Sequence, residues 1–207
     1  MKRRLLLLAH RVPVSGNFSL NDLAGAGGRM DEVARATSTA FTVSNGLRRD
    51  TELTILFVAE PPPRSRRIRL VGTGLRYLNP DERSTAALLK NALVRSSTLE
   101  RDIEASPGLV VGPIEPLTAL HTFLQEPGTV WLTESGQAYV PPPSVFPSVG
   151  AVVSDPDDPT PAERELLERS GVPRVSLGLA SLRASQCIDV LHNRWDALPV
   201  AEAPAAD

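Results

Sequence analysis

The sequence predicts an α/β protein whose sheet is largely parallel and flanked by helices on both faces. Three observations carry this. Strand-like apolar runs alternate with segments of helical period from one end of the chain to the other. Residues 5–9 are apolar without interruption, the pattern of a strand buried on both faces. Residues 172–195 read as a short extended run, a turn at Ser176 and Gly178, and a helix whose stripe is Leu182, Ile188, Leu191 and Trp195. In an open α/β sheet, ligands sit outside the carboxyl ends of the strands, and that turn is such an end.

The elements follow in order. After the first strand comes a loop closing on Asn21-Asp22-Leu23-Ala24-Gly25-Ala26-Gly27-Gly28-Arg29. A helix is expected over 30–43, with Met30, Val33, Ala34, Thr37, Ala40 and Phe41 on its apolar face and Ser44-Asn45-Gly46 as its stop. Strands are expected over 53–59 and 68–71, separated by a stiff turn at Pro61-Pro62-Pro63. A turn at Gly72-Thr73-Gly74 leads to a possible short strand over 75–78. Asn79 is the expected N-cap of the next helix, with Pro80 in its first turn and Ala86, Leu88, Leu89 and Leu93 as its stripe to about residue 94. Residues 95–106 read as loop or ragged helix. A strand over 108–111, a helix over 116–125 and a strand over 129–133 follow. Proline-rich residues 141–147 precede a strand over 149–153 that ends at Ser154-Asp155. Thr160-Pro161-Ala162-Glu163 opens a helix to Arg169, stopped by Gly171. Residues 1–196 form one domain, and the Ala/Pro/acidic residues 197–207 read as a disordered tail.

Composition bounds the function. The chain has 207 residues, 42% hydrophobic, and a net charge of -2. That is enough chain for a substantial core, and it does not describe a polyanion binder along its whole length. Arginine outnumbers lysine, which occurs only as Lys2 and Lys90. Biased genome composition accounts for that, although arginine is also the better fork for phosphate. One cysteine excludes an internal disulfide, and one Cys with three His gives no spaced metal-ligand set, so no metal is expected. A reducing, cytoplasmic setting fits. The opening MKRRLLLLAH imitates a leader, but its apolar run is short and interrupted by His10 and Arg11, and no run is long enough to span a bilayer. His10 and His121 carry no pattern.

Several sites admit two readings from the residues alone. Gly25–Arg29 is either a flexible helix entry or a turn presenting N–H groups to a phosphate. Arg48-Arg49-Asp50 is either a solvated turn or a phosphate contact with Asp50 orienting an arginine. Cys187 reads as a packing residue, since a nucleophilic thiol needs a low pKa and a nearby base.

Taken together, the blocks LNDLAGAGGRMDEVARATSTAF (20–41), SNGLRRD (44–50), NPDERSTAAL (79–88), SPG (106–108) and SLGLASLRASQCIDVLHN (176–193) resemble the archaeal-type tRNA pseudouridine(54) N1-methyltransferases. These are SPOUT enzymes, and the resemblance covers nearly the whole chain. It implies a C-terminal trefoil knot over about 129–196, a homodimer with a shared substrate site, and RNA, most simply tRNA, as substrate. It also implies S-adenosyl-L-methionine as methyl donor. By that resemblance the donor is held by Leu132, Ser154 (where the family often has glycine), Ser176, Leu177, Gly178, Leu179 and Leu182, with Cys187 closing the pocket.

The implied reaction is attack by N1 of pseudouridine on a sulfonium methyl. Asp31 or Asp50 is the candidate acceptor of the N1 proton, and Arg29 or Arg49 the candidate partner of charge developing on the base. Two alternatives stand beside it. One is methylation of a pseudouridine in ribosomal RNA. The other is a cofactor-binding RNA-binding protein without catalysis.

Overall fold

The computed structural model describes residues 1–59, 65–143 and 146–198. The turn expected at Pro61-Pro62-Pro63 and nearly all of the expected tail lie outside the described residues, as does part of the proline-rich 141–147 stretch.

An eight-stranded sheet organises the chain, in the order β10-β8-β9-β1-β4-β5-β7-β6. Its strands are β1 (Lys2–Ala9), β4 (Thr51–Phe57), β5 (Arg66–Val71), β6 (Ile103–Ser106), β7 (Leu109–Pro113), β8 (Thr129–Ala138), β9 (Ser148–Ser154) and β10 (Arg174–Ser176). A two-stranded ribbon of β2 (Thr42–Val43) and β3 (Gly46–Leu47) stands apart. From β10 to β4 the pairs are parallel, and β4, β5, β7 and β6 continue the sheet antiparallel. The parallel half is therefore the half that carries the end of the chain.

β1 lies at the centre of that half, and its alternation divides the core. Leu5, Leu7 and Ala9 join one apolar cluster, and Leu6 and Leu8 join the other. The first face is covered by α1 (Met30–Phe41), α2 (Glu82–Ser96) and α5 (Ala184–Asp196), with α1 packed between the other two. The second is covered by α3 (Pro116–Leu124) and α4 (Pro161–Arg169) through Leu120, Leu124 and Leu167. Both-face burial is why the first strand reads as a continuous apolar run.

Most expected elements are present, with four corrections. The first helix ends at Phe41 because the ribbon closes around Ser44 and Asn45, and Thr42 already has extended backbone. The N-cap of α2 is Asp81, whose carboxylate accepts the Ser84 N–H at 2.8 Å, so Asn79 and Pro80 precede the helix. Residues 75–78 form no strand. Residues 103–106, expected as loop or ragged helix, are β6, which folds back antiparallel on β7. Its polar alternation, Ile-Glu-Ala-Ser, suits an edge strand and hides it from a hydrophobic-run criterion.

β8 departs from the expected short strand in a way that shapes the site. Arg174 of β10 pairs with Trp131, but its neighbour Val175 pairs with Gln137. Residues 132–136 are thus pushed out of register as a bulge. Gly136 makes this possible: a Cβ there would lie 2.5 Å from the Val175 backbone carbon.

Candidate active site

The carboxyl ends of β8, β9 and β10 border a cleft of about 570 Å³. The β8 bulge supplies Leu132, Thr133, Glu134 and Ser135, the end of β9 supplies Ser154, and the turn after β10 supplies Ser176, Leu177 and Gly178. Residues 155–159, between β9 and α4, form a further wall. The start of α5, with Ala184 and Cys187, closes the cleft, and Arg29 and Glu32 reach it from the start of α1.

Seven of the eight residues expected to hold a donor molecule line this one cleft: Leu132, Ser154, Ser176, Leu177, Gly178, Leu182 and Cys187. Leu179 does not; it is fully exposed and points away from the packed interior. The space that a Cβ would fill at Gly178 is empty, so the cleft runs up to the backbone there. The turn is held by Ser176, whose hydroxyl accepts the Gly178 N–H at 3.2 Å. Arg194 of α5 donates to the carbonyls of Leu177 (3.2 Å) and Tyr139 (2.7 Å), tying the turn to the chain that leaves β8. Burial, aided by the nearby Glu134 charge, pushes the Cys187 thiol up to about 11. It is a neutral, packed thiol at physiological pH.

Arg29 stands at the cleft in a left-handed conformation, φ 66°, the one positive φ among the described non-glycine residues. Such backbone costs an L-residue about 1–2 kcal/mol and persists where surrounding contacts dictate it. Here they are ionic: Arg29 Nε lies 3.0 Å from Asp31, and Nη2 2.6 Å from Glu32. Gly28 before it also has positive φ, 61°, and a Cβ there would lie 2.0 Å from the Arg11 carbonyl oxygen. The loop thus packs its backbone directly onto the end of β1.

Asp31 is buried and holds two arginines, Arg29 and Arg35, the latter at 2.6 Å. Burial opposes its charge, but the two guanidiniums outweigh burial and hold the carboxyl below the usual carboxylate range. Its oxygens are therefore committed to arginines. Glu32 is buried too, and its Oε2 has no partner among the described residues.

The Gly25–Gly28 turn does not present its amides outward. The Asp22 carboxylate accepts the N–H groups of Gly25 (2.9 Å) and Ala26 (2.8 Å), and the Gly27 N–H donates to the Asp22 carbonyl. Of the two readings of this turn, the phosphate cradle is the one that fails for Gly25 and Ala26, whose amides are taken by the loop's own Asp22 side chain.

Arg49 and Asp50 lie elsewhere. They precede β4, whose Thr51 pairs with Arg3 at the start of β1. The cleft is at the opposite end of these strands, and β1 alone is 8 residues, about 26 Å, long. Asp50 pairs with Arg3 at 3.0 Å, and Arg49 donates to the carbonyls of Gly72 and Leu75, both at 2.8 Å. Within one chain the structure brings Arg29 to the cleft, with Asp31 behind it as its ion-pair partner, and leaves Arg49 and Asp50 at the opposite end of the strands.

One cluster has no counterpart in the sequence reading. His10, immediately after β1, lies with Nδ1 3.2 Å from Asp155 and Nε2 2.9 Å from Glu163. Its parts are far apart in sequence, and no motif spacing flags them; only adjacent strand ends and the start of α4 bring them together.

Among the described residues no helix is long and apolar enough to cross a membrane, and no group of His, Cys, Asp and Glu is arranged to hold a metal.

Residues 2–200 match the family model described as "Putative SAM-dependent RNA methyltransferase". A protein of Methanosarcina acetivorans named tRNA (pseudouridine(54)-N(1))-methyltransferase is 37% identical over 94% of this chain and 90% of its own length. One of the same name from Methanocella arvoryzae is 37% identical over 94% of this chain and 97% of its own. The Haloferax volcanii protein of that name is 35% identical over 94% and 96%. In fold, the chain is similar to the crystal structure of Archaeoglobus fulgidus Nep1 bound to S-adenosylhomocysteine. The TM-score is 0.65 at 13% identity, covering 95% of this chain and 98% of that one.

Proposed function

The chain belongs to the family of SAM-dependent RNA methyltransferases, and from that premise we propose that it methylates N1 of pseudouridine in tRNA, at position 54 of the T-arm. The observation that carries this reading is the convergence of Leu132, Ser154, Ser176, Leu177, Gly178, Leu182 and Cys187, scattered over three strand ends and a helix, on one cleft.

S-adenosylmethionine, the methyl donor in this proposal, supplies an electrophilic methyl on a sulfonium and needs no activation by the protein. The residues present suit it. The volume is in the range of small-molecule sites. Leu132, Leu177, Leu182 and Cys187 give apolar lining, and the empty Cβ position at Gly178 lets a ligand approach the backbone. The charged lining is mixed, with Arg164, Arg174 and Arg183 beside Glu134, Asp157 and Asp158.

The chain's own task is then to hold and align two reactants. Of the four arginines that line the cleft, Arg29, fixed by Asp31 and Glu32, is assigned to the developing charge on the base. Asp31 orients Arg29 in this reading, because a carboxylate shared by two arginines is a weak proton acceptor. Glu134 is an exposed carboxylate on the β8 bulge and forms no ion pair among the described residues, so we assign it the N1 proton.

The same proposal includes a homodimer, a knot and a cytoplasmic setting. Val140 and Leu179 are exposed apolar residues on two segments joined by the Tyr139 N–H to Ser176 carbonyl bond, a surface suited to a second copy. For the knot, the supporting feature is the path from β9 through α4 on one face to β10 beyond β8, and then to α5 on the other face.

The test is methyl transfer from labelled S-adenosylmethionine to a T-arm stem-loop carrying pseudouridine, with a uridine loop as control. Label only in the pseudouridine loop is expected. Label only in ribosomal RNA fragments would move the target, and cofactor binding without transfer to any RNA would sink the enzymatic reading.

A further inference from the structure

The cluster around His10 is not used by the mechanism above, and its geometry gives it a task. Both ring nitrogens face carboxylate oxygens, Nδ1 to Asp155 at 3.2 Å and Nε2 to Glu163 at 2.9 Å. A neutral imidazole has one N–H and would turn its lone pair on a carboxylate, so this arrangement calls for the doubly protonated ring. The side chains of Asp155 and Glu163 are 1% and 2% exposed, and His10 itself 12%. Burial opposes the charge, but the two carboxylates prevail and push the imidazole up to about 10.

Each carboxylate anchors one end of the segment 155–160. Asp155 also accepts the His10 backbone N–H at 2.9 Å and the Asp157 N–H at 3.2 Å. Glu163 closes the other end through a capping box, accepting the Thr160 N–H at 2.8 Å while its own N–H donates to the Thr160 hydroxyl. Arg11 holds the middle, with Nε 2.6 Å from Asp157. The segment between the anchors has no regular structure, and its residues 155–159 line the cleft.

We propose that His10 is a positioning residue for cofactor binding: clamped between Asp155 and Glu163, it fixes segment 155–160 as the rigid wall of the cleft, and Arg11 braces that wall at Asp157. Without the imidazolium, two buried carboxylates lose their shared cation; one takes up a proton or the wall swings into water, and either way the bridge between the two anchors is lost. In this proposal the wall contacts the cofactor and not the RNA base, so its loss weakens binding of the cofactor and leaves the rate of the bound complex intact. This inference rests on the cofactor reading above.

The experiment uses the full chain, wild type and the variants His10→Gln and Arg11→Ala. Amide hydrogen exchange over 155–160 reads the wall without any ligand. Calorimetry with S-adenosylhomocysteine and steady-state methyl transfer read its consequence. His10→Gln is expected to speed exchange in that segment, to raise Kd and the KM for S-adenosylmethionine about tenfold, and to leave kcat within twofold. Arg11→Ala, at an exposed site where folding is not at stake, should raise Kd about threefold in the same direction. Unchanged exchange in both variants overturns the clamp, whatever the cofactor does. Faster exchange with unchanged Kd overturns its link to binding, as does a loss confined to kcat. A wild-type protein that binds no S-adenosylhomocysteine sinks the cofactor reading instead, and exchange then decides the clamp alone.

Discussion

Arg29 and Glu32 meet at 2.6 Å beside the cleft, and Arg29 makes that contact from a left-handed backbone. The ion pairs to Asp31 and Glu32 and the positive φ are parts of one arrangement, because the turn that exposes the guanidinium to the cleft also carries it back over the first turn of α1. Replacing Arg29 by glycine and by alanine removes the same ion pairs but treats the backbone differently. Arg29→Gly is expected to be more stable than Arg29→Ala by about 1 kcal/mol in urea unfolding, since only alanine retains the cost of positive φ. Both should lose methyl transfer.

Stability should fall on both sides of neutrality, for different histidines. His10 is pushed up to about 10, so its contribution is complete below its ordinary value of 6.5 and is lost as pH rises through 10. His192 is pushed down to about 4, chiefly by burial and then by Arg48 and Arg3, so the native state resists its protonation and loses stability as pH falls from 6.5 towards 4. Asp196, held down to about 2 first by Arg48, with Arg3 also lowering it, adds a further loss as pH falls from 3.8 through 2. Thermal melts from pH 3 to 11 should show a plateau near pH 6.5–7. His10→Gln should flatten the limb between pH 7 and 9, below the range in which Cys187 adds its own loss, and leave the acid limb in place.

Gly136 permits the bulge that makes the β8 wall. A methyl group there meets Val175 backbone at 2.5 Å, so one of the two strands must move. Gly136→Ala is expected to cost about 1–3 kcal/mol of stability by over-packing. It should also weaken binding of S-adenosylhomocysteine, because β10 carries the turn at Ser176–Gly178. Calorimetry on the folded variant checks the second effect separately from the first.

Cys187 should behave as a packing residue. With its thiol at about 11, alkylation by iodoacetamide should be slow at pH 7 and accelerate up to pH 11. S-adenosylhomocysteine should protect it. Cys187→Ala should retain kcat and raise the KM for the donor several-fold; loss of kcat with unchanged KM would give the thiol a chemical role.

The positions of elements and the composition of the cleft were legible in different ways. Leu5–Leu8, the stripe of α1 from Met30 to Phe41 and the capping box at Thr160 and Glu163 announce themselves because burial and helix-end chemistry impose local periodicity. Ser176 and Cys187 lie in the blocks that carry the family resemblance, and the resemblance implied Leu132 and Ser154 outside them; all four share the cleft. β6 was not legible, since a polar edge strand is specified by its partner and not by its own apolar run.

What the sequence determined by itself is therefore the alternation of elements, the doubly buried first strand and the kind of chemistry to look for. The tertiary structure decided which charges meet. Asp31 and Asp50 are equivalent as letters beside arginines, yet one pairs with Arg29, which lines the cleft, and the other pairs with Arg3 at the opposite end of the strands. His10 carries no pattern, yet it lies between two carboxylates more than a hundred residues away. Ion pairs and clefts depend on distances of a few ångströms between strand ends. Those distances are set by sheet order and register, which local periodicity does not encode.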